Sequence, residues 1–81
     1  MESTEIALCE AELNIRYVIT EIRAPEELSE RLRELGVIRG TVIKRTVVGR
    51  DGGIAVYSVR GCRIALRRET AMRVSVKRWE E

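Results

Sequence analysis

Two thiols, scattered carboxylates and a large excess of arginine are the groups in this chain that could do chemistry, and histidine is missing altogether. Its absence removes the usual general base and the commonest transition-metal ligand. It also leaves no imidazole to activate a serine or cysteine nucleophile. Cys9 and Cys62 lie far apart in the sequence and fit no metal-ligand spacing. The opening stretch, MESTEIALCEAELN, is acidic and has no apolar core segment, so it does not read as a secretory leader. Two reduced thiols, at least one of them partly buried, are therefore expected. Glu26, Glu27 and Glu30 crowd one helix start and Asp51 stands alone, but neither has the spacing of a calcium loop. They read as a solvated, ion-pairing face. The loop Gly49-Arg50-Asp51-Gly52-Gly53 could cradle an anion, yet it has the length and glycine content of a plain hairpin connection. GxGxxG and the Walker lysine motif are both absent. This inventory predicts a non-enzymatic protein with no catalytic residue, no cofactor and no dedicated metal ligands.

The arginines then need another explanation. The first thirty residues hold eight Glu against two Arg, a net charge of −6, and the remainder holds thirteen Lys and Arg against five Asp and Glu, a net of +8. Thirteen of the fifteen basic residues are arginine, which pairs bidentately with carboxylates and phosphates. The simplest reading is two halves that neutralise each other in one fold, and the other is a basic face for an acidic partner. Arg60, Arg63, Arg67, Arg68 and Arg73 are close in sequence. Barrels that bind single-stranded nucleic acid add aromatic stacking platforms to such charge. This chain has no Phe and offers only Tyr17, Tyr57 and Trp79, so nucleic acid is an unlikely partner.

The elements that must position these groups follow from length and pattern. A chain of 81 residues holds one domain, with a thin margin of buried surface and no room for a deep cavity. No apolar run is long enough to span a bilayer. Ile6, Ala7, Leu8, Ala11 and Leu13 form a short apolar cluster, a strand or turn that packs on the domain, and Asn14 then suits a left-handed turn. Arg16–Ile22 is rich in β-branched residues and reads as a strand. Pro25–Leu35 reads as the one clear helix, with Pro25 at its first position, acids in its first turn, and Leu28, Leu32 and Leu35 as one apolar stripe. Gly36 ends it with positive φ. From Gly40 the period becomes two: strands at Thr41–Val48, Ile54–Val59 and Cys62–Leu66, a two-residue turn at Arg60-Gly61, a helical turn at Arg67–Met72, and a last strand at Arg73–Val76. Residues 1–5 and 77–81 read as tails.

Many short strands with glycine turns predict a mainly β fold: a small, five- or six-stranded antiparallel barrel with one α-helix and one short helical turn. The predicted core is Ile19, Ile22, Leu28, Leu32, Leu35, Val42, Val56, Val59, Ile64, Leu66 and Val74.

The stretch RLRELGVIRGTVIKRTVVGRDGGIAVYSVRGCRIALRRETAMRVSV, from Arg31 to Val76, resembles the FeoA domain. That family shows a helix ending in Leu-x-x-Leu-Gly-aliphatic, a nearby glycine, a hairpin, and then an Arg/Gly-x-x-aliphatic-Ala-Leu-Arg run. Leu32, Leu35, Gly36, Val37 and Gly40 match the first part, and Val59, Gly61, Ile64, Ala65, Leu66 and Arg67 the second. Upstream, Leu8, Ile19 and Ile22 fall on apolar positions. The likeness covers residues 6–76, with Asn14 where the family usually has Gly and Arg39 where it usually has Pro. The resemblance implies a cytoplasmic accessory protein of ferrous-iron uptake. Its partner would be the cytosolic part of a FeoB-type, GTPase-containing transporter, through which alone it would reach the membrane; weak homo-oligomers are left open. The resemblance also implies that the barrel is of SH3-like type, a type that occurs as the C-terminal domain of iron-dependent repressors, the alternative assignment. The chain leaves no space for a helix-turn-helix segment, which favours the transporter partner. The expected partner-binding surface is the turn Val37, Ile38, Arg39 with the Arg67 and Arg68 edge; the alternative is that Val37 and Ile38 fold inward and seal the barrel end, a reading that suits Val37 better than exposure does. Asn14, Gly36, Gly40 and Gly61 are expected as structural turns.

Overall fold

The computed structural model describes residues 4–80. Residues 1–3 and 81 of the expected tails lie outside them. Its elements are β1 (Ile6–Ala7), a 3-10 turn (Leu8–Glu10), β2 (Arg16–Ile22), α1 (Glu26–Glu34), β3 (Val42–Val48), β4 (Ile54–Val59), β5 (Cys62–Arg67), α2 (Arg68–Ala71) and β6 (Val74–Arg78). The six strands form one sheet in the order β1-β6-β2-β3-β4-β5 with every neighbouring pair antiparallel. This is the mainly β barrel expected from the pattern, of the SH3-like type that the resemblance implied. The sheet curls but does not close on itself, because β5 pairs with β4 alone among the described residues.

Two bulges bend it, one between Ile19 and Glu21 in β2 and one between Arg45 and Val47 in β3. A bulge leaves a residue out of the ladder and raises the local twist. Here the omitted residue is a threonine each time, and its hydroxyl donates across to the partner strand. Thr20 Oγ1 reaches the Ser75 carbonyl at 3.1 Å, and Thr46 Oγ1 reaches the Val56 carbonyl at 3.1 Å. Threonine suits both jobs, since it is β-branched and carries a donor.

The concave face holds the core: Leu8, Tyr17, Ile19, Leu32, Val37, Ile43, Tyr57, Val59, Val74 and Val76 are buried. Five of the eleven expected core residues, Ile19, Leu32, Val59, Leu66 and Val74, are fully buried. Ile22, Leu28 and Ile64 are partly buried and pack against that core. Leu35 is 39% exposed instead, because it caps the helix rather than facing the sheet. Val42 and Val56 are only half-buried. In β4 the buried residues are Ala55, Tyr57 and Val59, so Val56 must face outward by period two. In β3, Ile43 is the buried residue and Val42 beside it takes the other face.

Some boundaries move. Pro25 is the N-cap, with extended ψ 157°, and not the first helical residue. Its carbonyl still accepts the first helical bond, from Ser29 N–H at 2.8 Å. The last strand runs on to Arg78 because β2 is long enough to pair with it, Tyr17 facing Arg78. Charged Lys77 and Arg78 do not hinder main-chain pairing at an exposed position. Trp79 N–H then donates to the Arg16 carbonyl at 3.0 Å, and the Arg16 guanidinium lies 5.1 Å from the Trp79 ring centroid. Much of the expected C-terminal tail is thus part of the sheet.

Candidate partner-binding surface

The turn after α1 is built by a Schellman cap. Gly36 has φ +92°, its N–H donates to the Arg33 carbonyl at 3.0 Å, and Val37 N–H donates to the Leu32 carbonyl at 2.8 Å. This pairing satisfies two carbonyls that the helix end would otherwise orphan. The motif also brings the residue after the glycine onto the last apolar turn of the helix. Val37 is accordingly buried, 0% exposed, in the same cluster as Leu32. The expectation that Val37 offers itself to a partner is therefore corrected: it seals the core. Ile38 is half-buried and Arg39 is exposed. Gly40, at φ +89°, donates to the Ile19 carbonyl at 2.7 Å, and Thr41 N–H donates to the Ile38 carbonyl at 3.1 Å. The turn is thus pinned to β2 on one side and to α1 on the other.

Asn14, at φ 64°, and the Arg60-Gly61 pair, at φ 52° and 82°, take left-handed conformations as well. Arg60 is not glycine, so its backbone is uncommon. Its side chain lies across Gly36, with Cδ 3.2 Å from where a Gly36 Cβ would stand. The β4–β5 turn and the helix cap are thereby stacked on each other.

Arg67 and Arg68 are both exposed. Arg67 lines a groove of about 220 Å³ whose walls include Leu28 and Arg31 of α1, its C-cap Leu35, and Ala65, Leu66 and Arg67 of β5. Ile38, Arg39 and Arg68 do not line it. Leu35 belongs to both neighbourhoods, as the helix C-cap next to the turn and as a groove wall beside Arg67. The groove residues on α1 are absent from the expected surface. The signal for them was the leucine stripe itself: of Leu28, Leu32 and Leu35, only Leu32 is fully buried, and the flanking two remain as groove wall.

A second concavity, about 330 Å³, lies on the other side of the molecule between Thr4, Ile6, Glu12, Tyr17 and Arg78. Arg78 pairs with Glu12 across it at 3.1 Å, and Glu12 N–H donates to the Tyr17 hydroxyl at 3.1 Å. Those polar groups already satisfy one another.

Both thiols are free, Cys9 buried and Cys62 exposed at the start of β5. Near Cys9, the Arg45 guanidinium donates through one terminal nitrogen to the Ala11 carbonyl at 2.9 Å, bolting the N-terminal segment to β3. Burial holds the Tyr57 phenol above its ordinary range, against the pull of the nearby Arg45 charge. Among the described residues no three of His, Cys, Asp or Glu lie together as a metal site would require. No helix among them is long and apolar enough to cross a membrane.

Comparison with known proteins bears on the family and the fold. The FeoA domain matches residues 6–78. No curated protein matches the sequence. In three dimensions the chain is similar to the FeoA protein of Chlorobium tepidum, with TM-score 0.87 and 24% identity over 93% of this chain and 71% of that one. It is similar to a FeoA-like protein of Clostridium acetobutylicum, with TM-score 0.83 and 23% identity over 100% of this chain and 93% of that one. It is also similar to IdeR of T. acidophilum, with TM-score 0.82 and 19% identity, where it covers 98% of itself but 36% of that chain.

Proposed function

The chain belongs to the FeoA domain family, and on that premise we propose that it is a small, non-enzymatic, cytoplasmic accessory of ferrous-iron uptake. It acts by binding the cytosolic part of a FeoB-type GTPase transporter. The observation that carries this reading is the family match, which runs from β1 to the end of β6. The surface adds support. Ile38 and Arg39 sit on a turn fixed at both ends, so little ordering entropy is lost on contact. Arg67 and Arg68 supply the kind of side chain favoured at interface anchors. The test is a titration with the transporter's cytosolic part, comparing the wild type with Ile38→Asp and with the Arg67→Glu, Arg68→Glu pair, each first shown to be folded. At least tenfold weaker binding is expected for one or both. Undiminished binding by both moves the interface elsewhere, and no binding by the wild type refutes the reading.

The likeness to IdeR favours one other reading, a regulatory domain related to the SH3-like domain of metal-dependent repressors. The gene neighbourhood discriminates. An adjacent GTPase-permease gene supports the transporter partner. A DNA-binding segment in the natural full-length chain supports the regulatory domain.

A further inference from the structure

The two ends of the sheet are unlike. At one end β1 has only two residues. At the other, β5 has six residues and, among the described residues, a whole side unpaired. The phase of its ladder can be read from the structure. Arg68 N–H donates to the Gly53 carbonyl at 2.9 Å, and the register Ile54↔Arg67 makes these two residues partners. Antiparallel pairs alternate between hydrogen-bonded and non-bonded. Leu66, Ile64 and Cys62 therefore point their backbone groups at β4, and Arg67, Ala65 and Arg63 point theirs outward. All three outward residues are exposed. A row of unpaired donors and acceptors of this kind is a template for another strand.

Three further features say what strand would fit. From Arg60 to Arg68 the chain carries four arginines and no carboxylate. Across the groove from this edge stand Leu28 and Arg31 of α1 and its C-cap Leu35, an apolar wall with one more arginine in it. Ala65, the residue between Arg63 and Arg67, is small and leaves the middle of the edge open. A second copy of this chain is a poor occupant in the register centred on Ala65, the one that pairs all three outward residues. Antiparallel pairing of two β5 strands about Ala65 would set Arg63 directly opposite Arg67 twice over, and like charges in that position are destabilising.

We propose that the outer edge of β5 takes an extended acidic segment of a partner polypeptide as a seventh strand. The segment's backbone pairs with Arg63, Ala65 and Arg67. Its carboxylates meet Arg31, Arg63 and Arg67, and its intervening apolar side chains lie against Leu28 and Leu35. This deepens the transporter reading only in taking the partner to be a protein, and the edge can be tested without the transporter.

The probe is an acetylated, amidated peptide of alternating Glu and Val, with an alternating Lys and Val peptide as control, titrated into the full chain while backbone amides are followed by NMR. The Glu peptide is expected to shift the Arg63, Ala65 and Arg67 amides and slow their exchange with solvent by tenfold or more; the Lys peptide is not. Ala65→Pro removes the central outward N–H at an edge position where proline is tolerated, and should weaken binding at least tenfold. The Arg63→Glu, Arg67→Glu pair keeps every outward N–H and should exchange the preference to the Lys peptide. Unperturbed β5 amides at millimolar Glu peptide, binding by folded Ala65→Pro equal to wild type, or β5-mediated dimers each overturn the proposal. The transporter's cytosolic part serves as a separate arm. If it binds wild type and Ala65→Pro equally, the edge is not its site. If it binds neither while the Glu peptide protects β5, the transporter reading fails and the edge stands.

Discussion

Tyr57 carries a stability effect that its burial makes measurable. The phenol is raised because burial penalises the phenolate, and the positive charge of Arg45 offsets this only in part. A raised folded-state pKa means that the native protein keeps its proton where the unfolded chain has begun to lose it. The corresponding stability is fully present below about pH 10, the ordinary tyrosine value, and is lost as pH rises from there through the raised pKa. Tyr57→Phe is therefore expected to flatten the fall in stability above pH 10, measured by denaturant midpoints from pH 8 to 11. An equally steep fall in the variant would show that another group is responsible. A second residue with a defined cost is Gly36. Its φ of +92° is strained for any side chain, and Gly36→Val should lose about 1–2 kcal/mol or more. Its new Cβ would crowd only the flexible Arg60 side chain and touch Val59 at ordinary contact distance, so the loss is chiefly conformational. Thermal midpoints equal to wild type would contradict the cap. The glycine and its role were legible in the sequence, but Val37 stood on the candidate partner surface with the inward seat as its alternative. The cap itself shows why: the residue after a Schellman glycine folds back on the helix, and a position two past a helix end is not exposed by default.

At the scale of elements, the bulges explain most of what the pattern concealed. Strand existence in β3, β4 and β5 was readable from period two, and β4 has the boundaries the pattern gave. Facing was less readable. Val56 and Val59 are three apart and cannot both point inward on one regular strand, and the aromatic Tyr57 takes the inward place. The bulge at Thr46 shifts the register of β3 against β4 without any glycine or proline to announce it. What marks it is a threonine hydroxyl spent on a neighbouring strand's carbonyl, visible only once the strands are paired. Thr46→Val keeps shape and removes the donor, and should cost about 1 kcal/mol in chemical denaturation. Thr46→Ser keeps the donor and should recover part of that. No difference between Thr46→Val and wild type would mean that the bulge rests on packing alone. For α1, Leu32 is the sole fully buried leucine of its stripe. Leu32→Ala should cost about 2–5 kcal/mol, and Leu28→Ala and Leu35→Ala much less. Similar losses from all three would mean that α1 seats its whole stripe on the sheet.

For the whole molecule, the expected neutralisation of an acidic first half by a basic second half finds limited expression. Arg78–Glu12 joins the halves, while Arg23–Glu21 pairs within the first. Both pairs are exposed, and exposed pairs contribute little and are screened by salt. Raising ionic strength from about 0.05 to 0.5 M should thus leave the melting temperature nearly unchanged, while binding at the arginine edge weakens severalfold. A large melting shift would show that long-range attraction between the halves supports the fold. The pairing of β1 with β6 has a separate consequence. Ile6 lies beside Val76, and the antiparallel direction sends the chain out past both on the same side of the sheet. The barrel therefore begins and ends at nearly one point, and its strand order does not depend on where the chain is cut. A short Gly-Ser link between residues 4 and 80, with new ends opened in the Gly49–Gly53 loop, should give a circular permutant with the same strand pairings. A domain whose two ends meet is portable: it can be spliced into a host chain without prising the host apart.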